Sequence, residues 1–253
     1  MKLPSIQRPS APFLVTALLL IQSATIALAE KHTYSLTEDW SDTQNPNGVW
    51  SYNYNSSSIG TYQAFWWGGT GWGDLWLGDG AILKSDYPIG LDPWGNPILP
   101  PHDWQTNDVM MHALSEPYGG LTTFLNVTWT SPADGKIDIS GRAWEGEIFA
   151  DRDVAWMLIV NGEVFAQRES VQGLYRTDAG AKFSANLVGG HSLKNIPVAE
   201  GDVVEFRVIA TTYYGHFLGV EENITLTSSA QPRRKHGPLG NSNAAKSPQI
   251  TAD

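Results

Sequence analysis

The stretch FLNVTWT (124–130), SPADG (131–135), KIDISGRAW (136–144) and, after a charged loop, DVAWMLIVNGEVF (153–165) decides the fold. Apolar residues alternate at Leu125, Val127 and Trp129, at Ile137 and Ile139, and at Val154, Trp156, Leu158 and Val160. A period of two places every second side chain on one face of a sheet. Asp134-Gly135 and Asn161-Gly162 read as tight turns, because Asn, Asp and Gly tolerate the positive φ that hairpins need. The stretch is therefore a run of antiparallel strands.

Outward from it the same grammar continues. Residues 32–36 alternate as a first strand. Asn45-Pro46-Asn47-Gly48 is a turn, followed by Trp50, Tyr52 and Tyr54 on one strand face. Residues 62–67 (YQAFWW) form another strand, which Gly68-Gly69-Thr70-Gly71 breaks. Residues 72–108 mix Trp with Gly, Asp and five prolines, Pro88, Pro93, Pro97, Pro100 and Pro101, and read as a long, mostly irregular connection with short strands. Such loops in compact domains are often functional. Further strands are expected at 109–114, 185–188, 192–198, 203–210 and 220–227, and no helical pattern exceeds two turns. Strands at this spacing predict an all-β, antiparallel β-sandwich, and among sandwiches a jelly roll.

Composition bounds what such a domain can do. Hydrophobic residues make up 42% of the 253 and charged ones 17%, enough apolar material for a packed core. Lys2 and Arg8 precede an apolar run at 11–21, and Ala27-Leu28-Ala29 is an A-x-A cleavage site. The run is short of the ~20 residues that cross a bilayer. A signal peptide (1–29), a sandwich domain (30–230) and a Pro-, Ser- and base-rich disordered tail (231–253) are the expected parts, and the mature protein is expected to be secreted or periplasmic and off the membrane. Removing Lys2 and Arg8 takes the formal charge from −10 to −12; the tail's four cations against Asp253 hold +3, so residues 30–230 stand at −15. That balance argues against nucleic acid and anionic lipid as partners. The absence of Cys excludes thiol catalysis and disulfide staples. The histidines show no H-x-H or H-E-x-x-H spacing, and no serine sits in G-x-S-x-G.

Four segments together resemble a known group: DWSDTQNPNGVWSYNY (39–54), WTSPADGKIDISG (129–141), VAWMLIVNGE (154–163) and VAEGDVVEFRV (198–208). They resemble secreted bacterial jelly-roll domains, similar in layout to carbohydrate-binding modules, that occur in exopolysaccharide-associated proteins with a PEP-CTERM-type sorting anchor. The resemblance spans most of residues 32–227 and implies the fold more strongly than a ligand. No Pro-Glu-Pro signal, apolar span or terminal Arg cluster follows here, so a cell-envelope anchor is not implied.

Three candidate sites follow. The first is aromatic: Trp66, Trp67, Trp72, Trp76, Trp94 and Trp104 with Asp74 and Asp103. Indole faces stack on the C–H faces of sugars while carboxylates take hydroxyls, so the chain is expected to bind a glycan or extracellular polysaccharide without catalysis, through outward-facing rings. The competing use of the same rings is core packing, which is the expectation for Trp129 and Trp156. The second is Glu145 and Glu147 in WEGEIFADRD, whose alternate spacing would give a polysaccharide-degrading enzyme its two carboxylates. A solvated loop is the plainer account of the pair. The third is calcium at Asp151 and Asp153, helped by Asp202, Glu221 and Glu222, although no D-x-D-x-D-G loop exists. No cofactor is otherwise expected. A structural or adhesive role at the cell exterior is the remaining alternative.

Overall fold

The computed structural model describes residues 29–67, 70–77, 80–85, 105–114, 123–146, 151–212 and 215–228, with 64–67 and 70–74 described by backbone alone. In chain order the strands are β1 (Lys31–Ser35), β2 (Trp50–Tyr54), β3 (Ser57–Ser58), β4 (Tyr62–Trp67), β5 (Thr70–Leu77), β6 (Gly80–Lys84) and β7 (Val109–Ala113). They continue as β8 (Leu125–Thr130), β9 (Gly135–Glu145), β10 (Val154–Val160), β11 (Glu163–Arg168), β12 (Ile196–Val198), β13 (Val203–Ala210) and β14 (His216–Ser228). All pairings are antiparallel.

The last eight strands wind as a jelly roll. One sheet runs β7-β14-β9-β12 and the other β8-β13-β10-β11. Successive strands change sheet at every connection except β10–β11, which is how two Greek keys close a sandwich. The first six strands widen it. β6, β5 and β4 extend one sheet beyond β7, while β2 and β3 extend the other beyond β8. β1 lies along Asn223–Thr227 of β14, past the end of β7, which covers His216–Val220.

Alternation delivers the core as expected. Leu125, Val127, Trp129, Val154, Trp156, Leu158, Val204, Phe206 and Val208 are buried from one sheet, facing Ile137, Ile139, Val220, Ile224 and Leu226 of the other. Each such side chain contributes ~1.5–3 kcal/mol through removal from water.

Several local expectations are corrected. Asn161 and Gly162 do turn the β10–β11 hairpin, with φ of 51° and 85°. Asp134-Gly135 turns no hairpin, because β8 and β9 belong to different sheets. Gly135 answers a different need: a Cβ there would lie 2.4 Å from the Thr227 carbonyl oxygen, so only glycine lets β14 pass. β4 ends at Trp67 as expected, although Thr70 and Gly71 already belong to β5. β5 and β6 are regular strands inside the segment read as mostly irregular. Pairing with Trp66 and Phe65 of β4 overrides the weak strand propensity of Gly71 and Gly73. Residues 185–188 form no strand; a 3-10 turn, Phe183–Ala185, takes their place and leaves a single bridge, Ala166↔Leu187. Among the described residues no helix exceeds two turns: this turn and its neighbour Ala179–Ala181 are the helical pieces. No described helix is long and apolar enough to cross a membrane.

Candidate functional site

The segment after β1 crosses the opening between the two widened sheets. Asp39 accepts from the Ser35 N–H (2.9 Å) and from Trp50 Nε1 (3.2 Å), which fixes the chain's exit from β1. Asn45 then clamps β2 by accepting from the Tyr52 N–H and donating to the Tyr52 and Ile59 carbonyls, at 2.6–2.8 Å. Between these two anchors sit Trp40, Ser41 and Asp42.

Four rings gather there. Trp40 lies 4.4 Å from Tyr52, Tyr52 stacks on Trp76 at 5.8 Å, and Trp76 meets Tyr62 at 5.1 Å. The register opposes Tyr62 of β4 to Trp76 of β5, so the contact is a cross-strand aromatic pair. Tyr52 and Trp76 are buried; Trp40 and Tyr62 are half-buried and form the outer course. Burial pushes the Tyr52 phenol well above the usual range, and its oxygen accepts from the Ser41 N–H.

The outer rings share one carboxylate. Asp42 Oδ1 accepts from Trp40 Nε1 at 2.5 Å and from the Tyr62 hydroxyl at 2.8 Å, and Asp42 is exposed. Two flat apolar faces are thereby held at fixed angles around an acceptor that water can reach. Such a ledge can hold the C–H face of a saccharide ring and accept from its hydroxyls.

Of the expected aromatic site, Trp76 is corrected. It is 4% exposed and faces inward, because Tyr52 and Tyr62 enclose its ring and Ser41's carbonyl takes its Nε1–H at 3.0 Å. The backbone places Trp66, Trp67, Trp72 and Asp74 on the β4–β5 hairpin, with Trp66 opposite Gly71 and Asp74 opposite Ala64. Trp94, Asp103 and Trp104 lie outside the described residues.

Of the acidic pair, Glu145 is not at a solvated edge. Glu145 ends β9 and is 3% exposed. Its Oε1 lies 3.2 Å from His216 Nε2, and its Oε2 accepts from the Gly173 N–H at 2.7 Å. A buried carboxyl needs hydrogen-bond partners, and the imidazole and the amide supply them. With both oxygens engaged, Glu145 ties β9 to β14 and to the 171–174 turn. Glu147 lies outside the described residues. A second tie stands nearby: Arg176 grips Asp108 with both guanidinium nitrogens and lies 4.5 Å over the Trp144 ring.

The calcium residues do not converge. Asp151 is exposed, whereas Asp153 Oδ1 accepts from the Val154, Val171 and Gln172 amides at 2.8–3.2 Å. Asp202 caps the Ala199 N–H, and Glu222 is buried between the sheets. Among the described residues no three acidic or imidazole side chains form a metal cluster.

No protein-family model matches the chain, and no curated protein matches it. Among solved structures, the K3 cleaved adhesin domain of Lys-gingipain from Porphyromonas gingivalis w83 is similar over 59% of this chain and 93% of that one. The identity is 9% and the TM-score 0.29, a likeness too slight to bear on function.

Trp40, Asp42 and Tyr62 escaped the sequence reading. Trp40 and Asp42 sit in a short polar run without alternation, and Tyr62 reads as one strand aromatic among several. The usable signal was the W-x-D spacing in DWSD, which lets a carboxylate fold back onto an indole N–H.

Proposed function

We propose that this chain is an exported, non-catalytic carbohydrate-binding β-sandwich, and that Trp40 and Tyr62, joined by Asp42 and backed by Tyr52 and Trp76, contact the saccharide. One observation carries the reading: two half-buried rings are oriented by a shared, exposed carboxylate at the mouth of the widened sandwich. Rigid aromatics lose little conformational freedom on binding, which is why preorganised rings favour weakly held ligands such as sugars. The negative body fits a neutral glycan better than a polyanion over a broad surface. The resemblance of the DWSD segment to secreted jelly-roll modules agrees with this reading, since that segment builds the ledge. The burial of Glu145 weighs against the glycosidase alternative.

Titration of the protein with a panel of neutral oligosaccharides tests this, read by tryptophan fluorescence and calorimetry. Trp40→Ala and Tyr62→Ala are expected to abolish binding, and Glu145→Gln to leave reducing-end release at the blank. Silence across the panel, or affinity that survives both ring deletions, overturns the proposal. Binding of a protein partner instead would move it to the adhesive class.

A further inference from the structure

On the far side of the jelly roll, β9 is covered by β12 only as far as Ile137. Beyond that the chain from 171 to 194 borders it, held by Ile139 N–H to the Leu193 carbonyl and by a bridge between Arg142 and Lys182. Between these two contacts a groove of about 460 Å³ opens. Its exposed apolar surface is Leu187, 40% exposed and unusual for a large aliphatic here, with Ile139 and Leu193 buried beneath the floor. Ser140, Ser184 and Ser192 supply hydroxyls.

The groove's charge runs against that of the body. Arg142, Lys182 and Lys194 line it with a single carboxylate, Glu221, on a domain that stands at −15 by the charge balance above. Arg142 Nε meets Glu221 at 3.3 Å, and Lys194 meets Asp138 at 3.4 Å. The Lys182 ammonium has no ion-pair partner among the described residues. The Arg142–Glu221 pair is half exposed and weak, and Arg142 has donors to spare.

The walls are fixed before any ligand arrives. Phe183 drops from the bordering segment into the core, 5.3 Å from Trp156 and 5.4 Å from Phe206. Gly141 makes room for it: a Cβ there would meet the Phe183 ring at 2.5 Å and the Glu221 carbonyl at 2.0 Å. Asn186 Nδ2 donates to the Gly180 and Lys182 carbonyls, so Lys182 is held in a tight local frame.

We infer that this groove is a second binding site, specific for a sugar acid, with the carboxylate of a uronic acid between Lys182 and Arg142. The C–H face lies on Leu187, and the serines and Glu221 take hydroxyls. The anion is read from the cations alone, while the choice of a saccharide rests on the reading of the ledge.

The test titrates the full chain with galacturonic acid, galactose and acetate, following backbone amide shifts. Galacturonate is expected to move the amides of Ser140–Arg142 and 182–187, to bind at least about tenfold more tightly than galactose or acetate, and to weaken as salt rises. Lys182→Gln, at an exposed position that leaves the fold intact, is expected to weaken it by about tenfold, one ordinary charge-assisted contact. Arg142→Gln is expected to act in the same direction. Equal affinity for galactose, equal affinity for acetate, or indifference to Lys182→Gln overturns the inference. Trp40→Ala separates the two sites: groove binding that persists in this variant leaves the inference standing even if the ledge binds nothing.

Discussion

In the jelly roll, Trp129 and Trp156 between the sheets and Trp144 on the outer face of β9, under Arg176, are fully buried and their Nε1 atoms have no hydrogen-bond partner among the described residues. At the ledge Trp40, Trp50 and Trp76 each donate theirs, to Asp42, Asp39 and the Ser41 carbonyl. The centre shows a fourth orphan, Glu222 Oε1, between the sheets. Indole serves as volume in one region and as a polar handle in the other. The centre tolerates unsatisfied donors, each worth ~1–3 kcal/mol against folding, because dense ring packing outweighs them. The ledge has less apolar burial to spend and orders its rings with hydrogen bonds.

The sharpest way to break this contrast is to delete a central ring. Trp156→Ala removes the indole between Phe183 and Phe206 and is expected to destabilise by ~3–5 kcal/mol in a denaturant melt. Trp40→Ala should lose less than half as much. Equal losses would show that the ledge is core.

Glu222 offers the next largest effect. Burial raises its carboxyl to about 8 in the folded chain, against 4.5 when unfolded. Between those values the folded state holds a proton that the unfolded state has released. Stability is therefore present in full below pH 4.5 and falls by ~1.4 kcal/mol per pH unit until about pH 8. His112 acts from the other side. Burial first, then the neighbouring His216 and Arg152, hold it down to about 3 from 6.5, so stability falls as pH drops below 6.5. Together these two groups predict a plateau between pH 4.5 and 6.5, with a decline on either side. Melts across pH 5 to 9 check it; Glu222→Gln should flatten the alkaline limb, and an unchanged limb would refute this account of Glu222.

A finer comparison swaps indole for phenyl. Trp156→Phe removes an orphan donor, whereas Trp76→Phe strands the Ser41 carbonyl. The second is expected to cost ~1 kcal/mol more than the first once their cavities are compared. Smallest in stability is Asp42→Asn: the side chain is exposed, so the melting midpoint should stay unchanged. Glycan affinity should still fall, because an amide that keeps accepting from Trp40 and Tyr62 turns its NH₂ toward the ligand. An affinity equal to that of the native chain would remove Asp42 from the site.

Much of the centre was legible because alternation is local. Val154, Trp156, Leu158 and Val160 declare their face without reference to any distant residue, and so do Val204, Phe206 and Val208. What escaped was set by partners far along the chain. Nothing in WEGE says that Glu145 will meet His216, 71 positions away. Asp134-Gly135 carries a hairpin signature but stands at a change of sheet, and only Thr227 explains its glycine. The ledge escaped for two reasons: Trp40 and Asp42 form a run of three residues too short for any periodicity to mark, and Tyr62 joins them from 20 positions on.

β14 pairs with β7, β9 and β1 at once. A ribosome that has made everything up to Ala210 has released three strands whose common neighbour does not yet exist. Half of the sandwich thus lacks its seam until residue 228 is out, whereas the other sheet has all its strands by Ala210.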